Sequence, residues 1–429
     1  MPFQAERPRR ALRALLPSVL LLAACRPASP ARLAAALPDS ATVKSDIAYL
    51  AADRLDGRAT GTAGNDSAAA FLSRRYASMG LTATAQTFTA HVPVRGGTPL
   101  ALAAQNVYAI VPGSDPALKN EYLILGAHFD HLGRSTSGAL DPEAGAVIRN
   151  GADDNASGTA AVLTLARRFA RQPARRSIVF ANFTGEELGL LGSAWFADHS
   201  PVPLDRVQAM LNFDMVGRLR NDKLIVYGVA TATELKPLVD SANAGLGLKI
   251  SAVGDGFGPS DQSSFYAKNI PVLHFFTDLH EEYHRAADKA ETTNAAGEVR
   301  VIDLAERIAR SLADRPARLA FVRSTTTQAA RGSSSERQGS GVYLGSIPDM
   351  GAGDVVGMKL SGVRAGTPAD LGGLKAGDVI VEFGGTPVKD IYSYTDALGA
   401  FKPGDVVKIV VLRGSERITL TVTLGKRAG

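Results

Sequence analysis

The stretch Tyr122-Leu123-Ile124-Leu125-Gly126-Ala127-His128-Phe129-Asp130 joins a short continuous apolar run to a polar tip. A run of four to eight apolar residues is the pattern of a strand buried on both faces. The pattern recurs. Ser177–Phe183 runs into Gly185-Glu186-Glu187-Leu188-Gly189, Ala209–Phe213 into Asp214, and Pro271–Phe276 approaches Tyr283-His284. Further runs lie at Asn106–Val111 and Leu224–Tyr227. Helical patterns fall at Val43–Ala52, Asp66–Met79 (with Asn65 or Asp66 as candidate cap), Ser157–Arg171, Leu188–His199, Thr233–Ala242 and Val301–Leu312. Strands alternating with helices predict a layered α/β sheet, which places its chemistry at the carboxyl ends of the strands.

At 429 residues the chain has room for two or three domains, and 45% hydrophobic with 21% charged residues is ordinary for a globular protein. Residues 1–24 carry four arginines against one glutamate, so their removal lowers the formal charge from +5 to +2. No basic run with interleaved aromatics occurs, so no nucleic-acid partner is expected. The one cysteine, Cys25, permits no intrachain disulfide. It follows a basic start, Arg7 to Arg13, and an apolar stretch, Ala14 to Ala24, too short to span a bilayer. Residues 1–24 therefore read as a secretory signal peptide. Small residues before Cys25 match a bacterial lipobox, which predicts a lipidated Cys25 and an exported protein anchored at a membrane. The Ala/Pro-rich residues 25–39 read as a tether.

Five polar segments carry the chemistry. They are Gly126-Ala-His128-Phe-Asp130, Gly151-Ala-Asp153-Asp154-Asn155, Gly185-Glu186-Glu187, Asn212-Phe-Asp214 and Tyr283-His284. Taken singly, each has a structural explanation. His128 can end a strand, Asp153 can cap the helix that follows, Glu186-Glu187 can complement a helix dipole, and Asp214 can sit in a turn. Together, each at a strand exit or helix start, they supply imidazole and carboxylate ligands for two metals, one carboxylate to bridge them, and a spare glutamate as base.

The ordered set GAHFDH, NGADDNASG, FTGEELGLLGS, NFDMVG and YHRAAD resembles the co-catalytic zinc aminopeptidases of peptidase clan MH, over residues 40–318. The resemblance implies a zinc-exopeptidase-like fold, a central mixed β-sheet flanked by helices, with two Zn2+. It implies that Asp153 bridges the metals, with His128 and Asp214 on one and Glu187 and His284 on the other. Glu186 would be the general base, Asp130 would orient His128, and Tyr283 would help hold the oxyanion. Asp261 matches a recurrent Ser-Asp motif, and the Asp153–Asp154 bond is a candidate cis peptide. The expected activity is removal of N-terminal residues from peptide substrates. Glutaminyl cyclase, which shares the fold, and a catalytically inactive peptide-binding lipoprotein are the alternatives. His280-Glu281-Glu282-Tyr283-His284 also satisfies the H-E-x-x-H string of zincins. In a zincin that string lies in a long helix; here it follows a strand-like run and a Thr-Asp-Leu turn.

Residues 319–338 read as a flexible linker, within a Ser/Thr/Gly-rich change of composition. Beyond it come short strands, short helices near Asp370–Leu374 and Ile391–Leu398, and a hairpin of Val406–Leu412 with Arg417–Leu424. Gly341-Val-Tyr-Leu-Gly345, Val363–Ala369 and Gly373–Gly385 make residues 339–425 resemble a small β-rich PDZ domain. Such a domain adds a peptide strand to a sheet edge and captures its terminal carboxylate, here with the loop Tyr343-Leu344-Gly345. C-terminal peptides are its expected partners.

Overall fold

A computed structural model describes residues 1–3, 40–92, 98–323, 342–348, 355–363, 366–389 and 391–426. Apart from residues 1–3, these belong to the unit Pro38–Gly429. Cys25, the tether and the leader beyond residue 3 lie outside the described residues.

The chain opens with α1 (Ser40–Leu50) and α2 (Ala63–Ser78), then β1 (Ala83–Val92), β2 (Leu100–Val111) and β3 (Tyr122–His128). There follow α3 (Gly158–Arg171), β4 (Ser177–Phe183), α4 (Leu191–Asp198), β5 (Val207–Phe213) and β6 (Lys223–Tyr227). The domain closes with α5 (Leu235–Ala242), β7 (Lys249–Val253), α6 (Gln262–Tyr266), β8 (Val272–Phe276) and α7 (Ala295–Asp314). The eight strands form one mixed sheet in the order β1-β2-β4-β3-β5-β8-β6-β7. At its centre β4, β3, β5 and β8 run parallel. Their carboxyl ends therefore face one edge, where the polar tips gather.

The period of two divides each central strand between two cores. Leu123, Leu125 and Ala127 of β3 join Phe180, Leu211 and Phe275 in a core shared with α1, α2, α3, α5 and α7. Ile124 points the other way, to Val179, Met210, Phe196 of α4 and Phe265 of α6. All seven residues of β4 and of β5 are buried. This double burial makes the sequence runs continuously apolar rather than alternating.

Several boundaries differ from the sequence reading. The helix expected from Leu188 starts at Leu191, because Gly189 (φ 110) and Leu190 (φ 64) make a turn after the glutamates. The cap of α2 is Thr62, whose hydroxyl accepts from the Asn65 amide. Residues 319–323, assigned to the linker, are tied to the domain. The Leu319 amide donates to Gln208, the Val322 amide to the Thr231 carbonyl, and Phe321 packs on Tyr266. The rest of that linker lies outside the described residues. Among the described residues no helix is long and apolar enough to cross a membrane.

The C-terminal module comprises β9 (Val342–Tyr343), β10 (Ser346–Pro348), β11 (Met358–Val363), α8 (Pro368–Leu371), β12 (Val379–Phe383) and β13 (Thr386–Pro387). It ends with α9 (Ile391–Gly399), β14 (Val406–Arg413), β15 (Glu416–Thr423) and β16 (Gly425–Lys426). Its main sheet runs β10-β11-β12-β14-β15, with β10 at an edge. Leu344, Leu360, Ile380, Phe383, Tyr394 and Ile409 form its own core.

Candidate metal centre

His128 ends β3, Asp214 follows β5, and Glu186 and Glu187 follow β4, so register alone brings three of the polar tips to one place. His128 Nε2 lies 3.4 Å from Asp154 Oδ1 and 3.5 Å from Asp214 Oδ1. His284 Nε2 lies 3.0 Å from Asp154 Oδ2 and 3.1 Å from Glu187 Oε2. Ligand bonds of about 2.0–2.2 Å in a tetrahedron put neighbouring donor atoms roughly 3.3–3.6 Å apart, so the gaps at His128 suit a shared cation, while those at His284 are somewhat shorter. His128 Nε2 and Asp214 Oδ1 are buried without a hydrogen-bond partner among the described residues. Orphaned polar atoms facing one another are costly unless an ion or water satisfies them. The side chains thus gather into two candidate cation positions that share Asp154: His128, Asp154 and Asp214 at one, and Asp154, Glu187 and His284, with His131 beside them, at the other.

The carboxylate that faces both donor groups is Asp154, with Oδ1 toward His128 and Oδ2 toward His284, and not Asp153 as the motif had suggested. Asp153 turns away: its Oδ1 accepts from the Gly217 amide at 2.7 Å and from the Ser157 hydroxyl at 3.0 Å. Its Oδ2 faces His280 Nε2 at 3.2 Å. The cis peptide, too, is one residue later, at Asp154–Asn155. Both aspartates have their backbone amides held by the Asp288 carboxylate. Two adjacent aspartates leave the backbone in different directions, and only the packed turn decides which one enters the site.

Each ligand is oriented from behind. Asp130 Oδ1 stands 3.6 Å from His128 Nδ1 and accepts from the Glu186 amide, while its Oδ2 accepts from Thr60. Ser260 donates to Asp214 Oδ2 at 2.7 Å. His284 Nδ1 meets the Gly138 carbonyl at 2.8 Å, which leaves Nε2 turned to the carboxylates. The sequence reading missed His131. Its Nδ1 lies 2.7 Å from Glu187 Oε1, a hydrogen-bond length too short for two co-ligands, and it groups with Asp154 and Glu187. His131 positions Glu187, whose other oxygen faces His284. Its ring packs on Gly151 (φ +56), where a Cβ would sit 2.4 Å from the imidazole.

Arg58, another residue that no motif singles out, is fully buried below the site. It donates to the carbonyls of Phe129, Leu50, Asn150, Gly151 and Asp154. It sits in a left-handed turn with Gly57, where a Cβ would come within 2.3 Å of the Arg149 carbonyl.

Electrostatics follow the packing. Burial, reinforced by Glu187, Asp214 and Asp261 against His128, holds the Glu186 carboxyl well above its usual range. Burial alone would lower His284, but Glu187 and Asp154 outweigh it and raise it to about 12. Burial alone would raise Glu187, yet His284 and His131 bring it to about 2. Burial, opposed by His128, raises Asp261 to about 7. The site's negative field thus draws positive charge. Asp261 itself is buried close enough to feel the charges of His128 and Asp214, and its neighbour Ser260 donates to Asp214.

A small pocket opens onto these side chains. Its lining joins the polar Asp154, Glu186, Asp214 and His284 to the apolar or aromatic Met215, Tyr227, Phe276, Leu279 and Tyr283. The Tyr283 ring stacks on His284 at 3.9 Å, and burial raises its hydroxyl's pKa, so it stays protonated. The H-E-x-x-H string is no helix. Residues 277–280 are irregular and 281–287 are turns and a bend, Glu281 is exposed, and His280 faces Asp153 while His284 faces Asp154 and Glu187. In the C-terminal module Leu344 is a core side chain, so its part in any carboxylate loop falls to its backbone. Tyr343 pairs with Gly425, and Gly345 takes φ +86 against Thr367.

Residues 106–309 match peptidase family M28, and residues 334–424 match the PDZ domain. Leupeptin-inactivating enzyme 1 of Streptomyces exfoliatus is 33% identical over 251 residues, 58% of this chain and 50% of that enzyme. The chain thus spans about half the length of that relative. The aminopeptidase from Aneurinibacillus sp. strain AM-1 superposes with a TM-score of 0.53 at 18% identity, covering 67% of this chain and 96% of that one. A glutaminyl cyclase from Bacteroides thetaiotaomicron gives 0.54 at 17%, covering 64% and 98%. At such identities the likeness is one of fold.

Proposed function

We propose, from the premise that the chain carries a domain of peptidase family M28 followed by a PDZ domain, that it is a two-zinc aminopeptidase. The observation that carries this reading is the pair of facing donor sets sharing Asp154. His128, Asp154 and Asp214 would hold one zinc, and Asp154, Glu187 and His284 the other. Bound there, zinc supplies Lewis-acid polarisation of the peptide carbonyl and lowers the pKa of a water.

The rest is the work of side chains. Glu186 stands 3.9 Å from His128 Nε2, beside the ligands yet not among them. It takes the proton of the attacking water and passes it to the leaving amine, a role served by a raised carboxyl pKa. Tyr283, protonated and at the cavity wall, donates to the oxyanion. The carboxylates receive the substrate's α-amine, which confines cleavage to the N-terminus. Its side chain lies against Met215, Tyr227, Phe276 and Leu279. The complete double donor set favours this reading over glutaminyl cyclase, which the notion of one zinc would serve.

The test is zinc-loaded protein assayed on a panel of aminoacyl nitroanilides. Glu186→Gln should retain zinc and lose about 10²–10⁴-fold or more in turnover. Near-normal turnover would sink the assignment of the base.

Two further readings belong with it. The basic start, apolar stretch and Cys25 support export and a lipid anchor at the cell envelope; Cys25→Ala should move the protein out of the membrane fraction, and wild-type protein already soluble without detergent contradicts the anchor. The edge strand β10 and the Tyr343–Gly345 loop support capture of peptide C-termini by strand addition.

A further inference from the structure

The zincin-like string leaves His280 and Glu282 without a role in the chemistry above, and the correction at Asp153 leaves a buried carboxylate unused. These leftovers meet. Asp153 Oδ1 accepts from the Gly217 amide at 2.7 Å, and Oδ2 faces His280 Nε2 at 3.2 Å. His280 Nδ1 stands 3.0 Å from Glu282 Oε2, and Arg218 donates to that same oxygen at 2.6 Å. Arg218 follows Gly217, so the circuit closes on itself.

His280 and Asp153 are 8% and 0% exposed, and their facing atoms, 3.2 Å apart, form an ion-pair contact without a hydrogen-bond partner among the described residues. Arg218 is pinned further by donating to the Thr292 carbonyl at 2.8 Å, and its backbone amide donates to the Thr277 hydroxyl at 3.3 Å. The Tyr283 amide donates to the His280 carbonyl, closing the turn that presents Tyr283 and His284.

The ring therefore touches three separate segments of the site, each near a functional residue. Asp153 adjoins Asp154; Gly217 and Arg218 follow Asp214; His280 and Glu282 flank the approach to Tyr283 and His284. Asp154 and His284, whose facing atoms are 3.0 Å apart, come from chain segments 130 positions distant in sequence. Asp288 ties the same two segments from the other side of His284, by accepting from the amides of Asp153 and Asp154.

We propose that Arg218, Glu282, His280 and Asp153 form a positioning ring that sets Tyr283 and His284 against Asp154. The ring rests on the two-zinc reading and names residues that reading does not use. Partners behind metal ligands are worth about 10–100-fold in metal affinity or activity. Glu282 is partly exposed, so Glu282→Gln keeps shape and costs little folding stability.

The experiment measures zinc affinity by competition with a chelating dye, kcat and KM on an aminoacyl nitroanilide, and the urea midpoint, for wild type, Glu282→Gln, Arg218→Gln and the double variant. Each single variant should bind zinc about 10–100-fold more weakly and lose kcat, with KM and the urea midpoint near wild type. Because the two residues act in series, the double variant should be no worse than either single one. Arg218→Lys, which keeps the charge, should recover much of the loss. Unchanged zinc affinity and kcat in both single variants, with wild type binding zinc, overturns the ring alone. A loss that tracks the urea midpoint overturns it too, since the ring is then only structural. Wild-type protein that takes up no zinc overturns the proposed function and the ring with it.

Discussion

Arg58→Lys tests how far the centre depends on what lies beneath it. Arg58 is wholly buried and spreads its guanidinium over five backbone carbonyls. Three of them, on Asn150, Gly151 and Asp154, belong to the turn that presents the bridging carboxylate, and Phe129 follows His128. Burial lowers its pKa to about 10, with Asp154, Asp130, Asp288 and Glu187 opposing, so it remains charged at neutral pH. Lysine keeps the charge but offers three donors from a single nitrogen in place of a planar fork. At least two of the five carbonyls then stay unpaired. An unsatisfied buried acceptor costs about 1–3 kcal/mol, so the substitution should cost about 4 kcal/mol. For a domain of this size that corresponds to a fall in Tm on the order of 10 °C. Urea unfolding followed by tryptophan fluorescence reads the stability, and dye competition reads zinc affinity, which should weaken as the turn loosens. A loss below about 1 kcal/mol with zinc affinity intact would refute the reasoning. It would mean that water can replace the guanidinium.

Other substitutions separate neighbouring roles. Glu281 is exposed, so Glu281→Gln should leave nitroanilide turnover within about twofold of wild type, whereas loss of the charged base should be severe; an inactive, folded Glu281→Gln protein would restore the zincin account. His274 is held at about 4 against 6.5, by burial first and by His128, with Asp214 opposing. Its folded pKa is depressed, so the unfolded chain takes the proton first as pH falls. The stability it contributes is fully present above about 6.5 and is lost as pH drops through about 4, up to about 3 kcal/mol. His274→Phe should therefore lose less stability than wild type between pH 7 and pH 4.5, read from urea midpoints, and equal losses would contradict the assignment.

The legible part of the molecule was the part buried on both sides. Tyr122–His128, Ser177–Phe183 and Val207–Phe213 are central parallel strands, so their burial wrote itself into unbroken apolar runs. β1 and β7 left no such mark. They are half-exposed at the sheet's two edges and rich in Ala, Thr, Lys and Ser. The helix expected from Leu188 failed because Leu188, Leu190 and Leu191 keep an apolar rhythm through a turn that Gly189 and Leu190 make in the left-handed region.

At the site, the structure brings His128 to Asp214 and His284 to Glu187, and their places at strand exits or in the loop after the last strand were the signal in the sequence. Asp153 and Asp154 were not separable, since the choice rests on Gly217, Ser157 and Asp288, all distant in sequence. Arg58 and His131 were invisible for the same reason. Their partners are carbonyls and a carboxylate that only the folded chain brings near.

The most direct measurement is zinc stoichiometry by elemental analysis after dialysis, on wild type, Asp153→Asn and Asp154→Asn, each checked for folding. A centre bridged by Asp154 predicts two zinc per chain in wild type and in Asp153→Asn, and a loss of bound zinc in folded Asp154→Asn. One zinc in wild type, or two retained in Asp154→Asn, would contradict it.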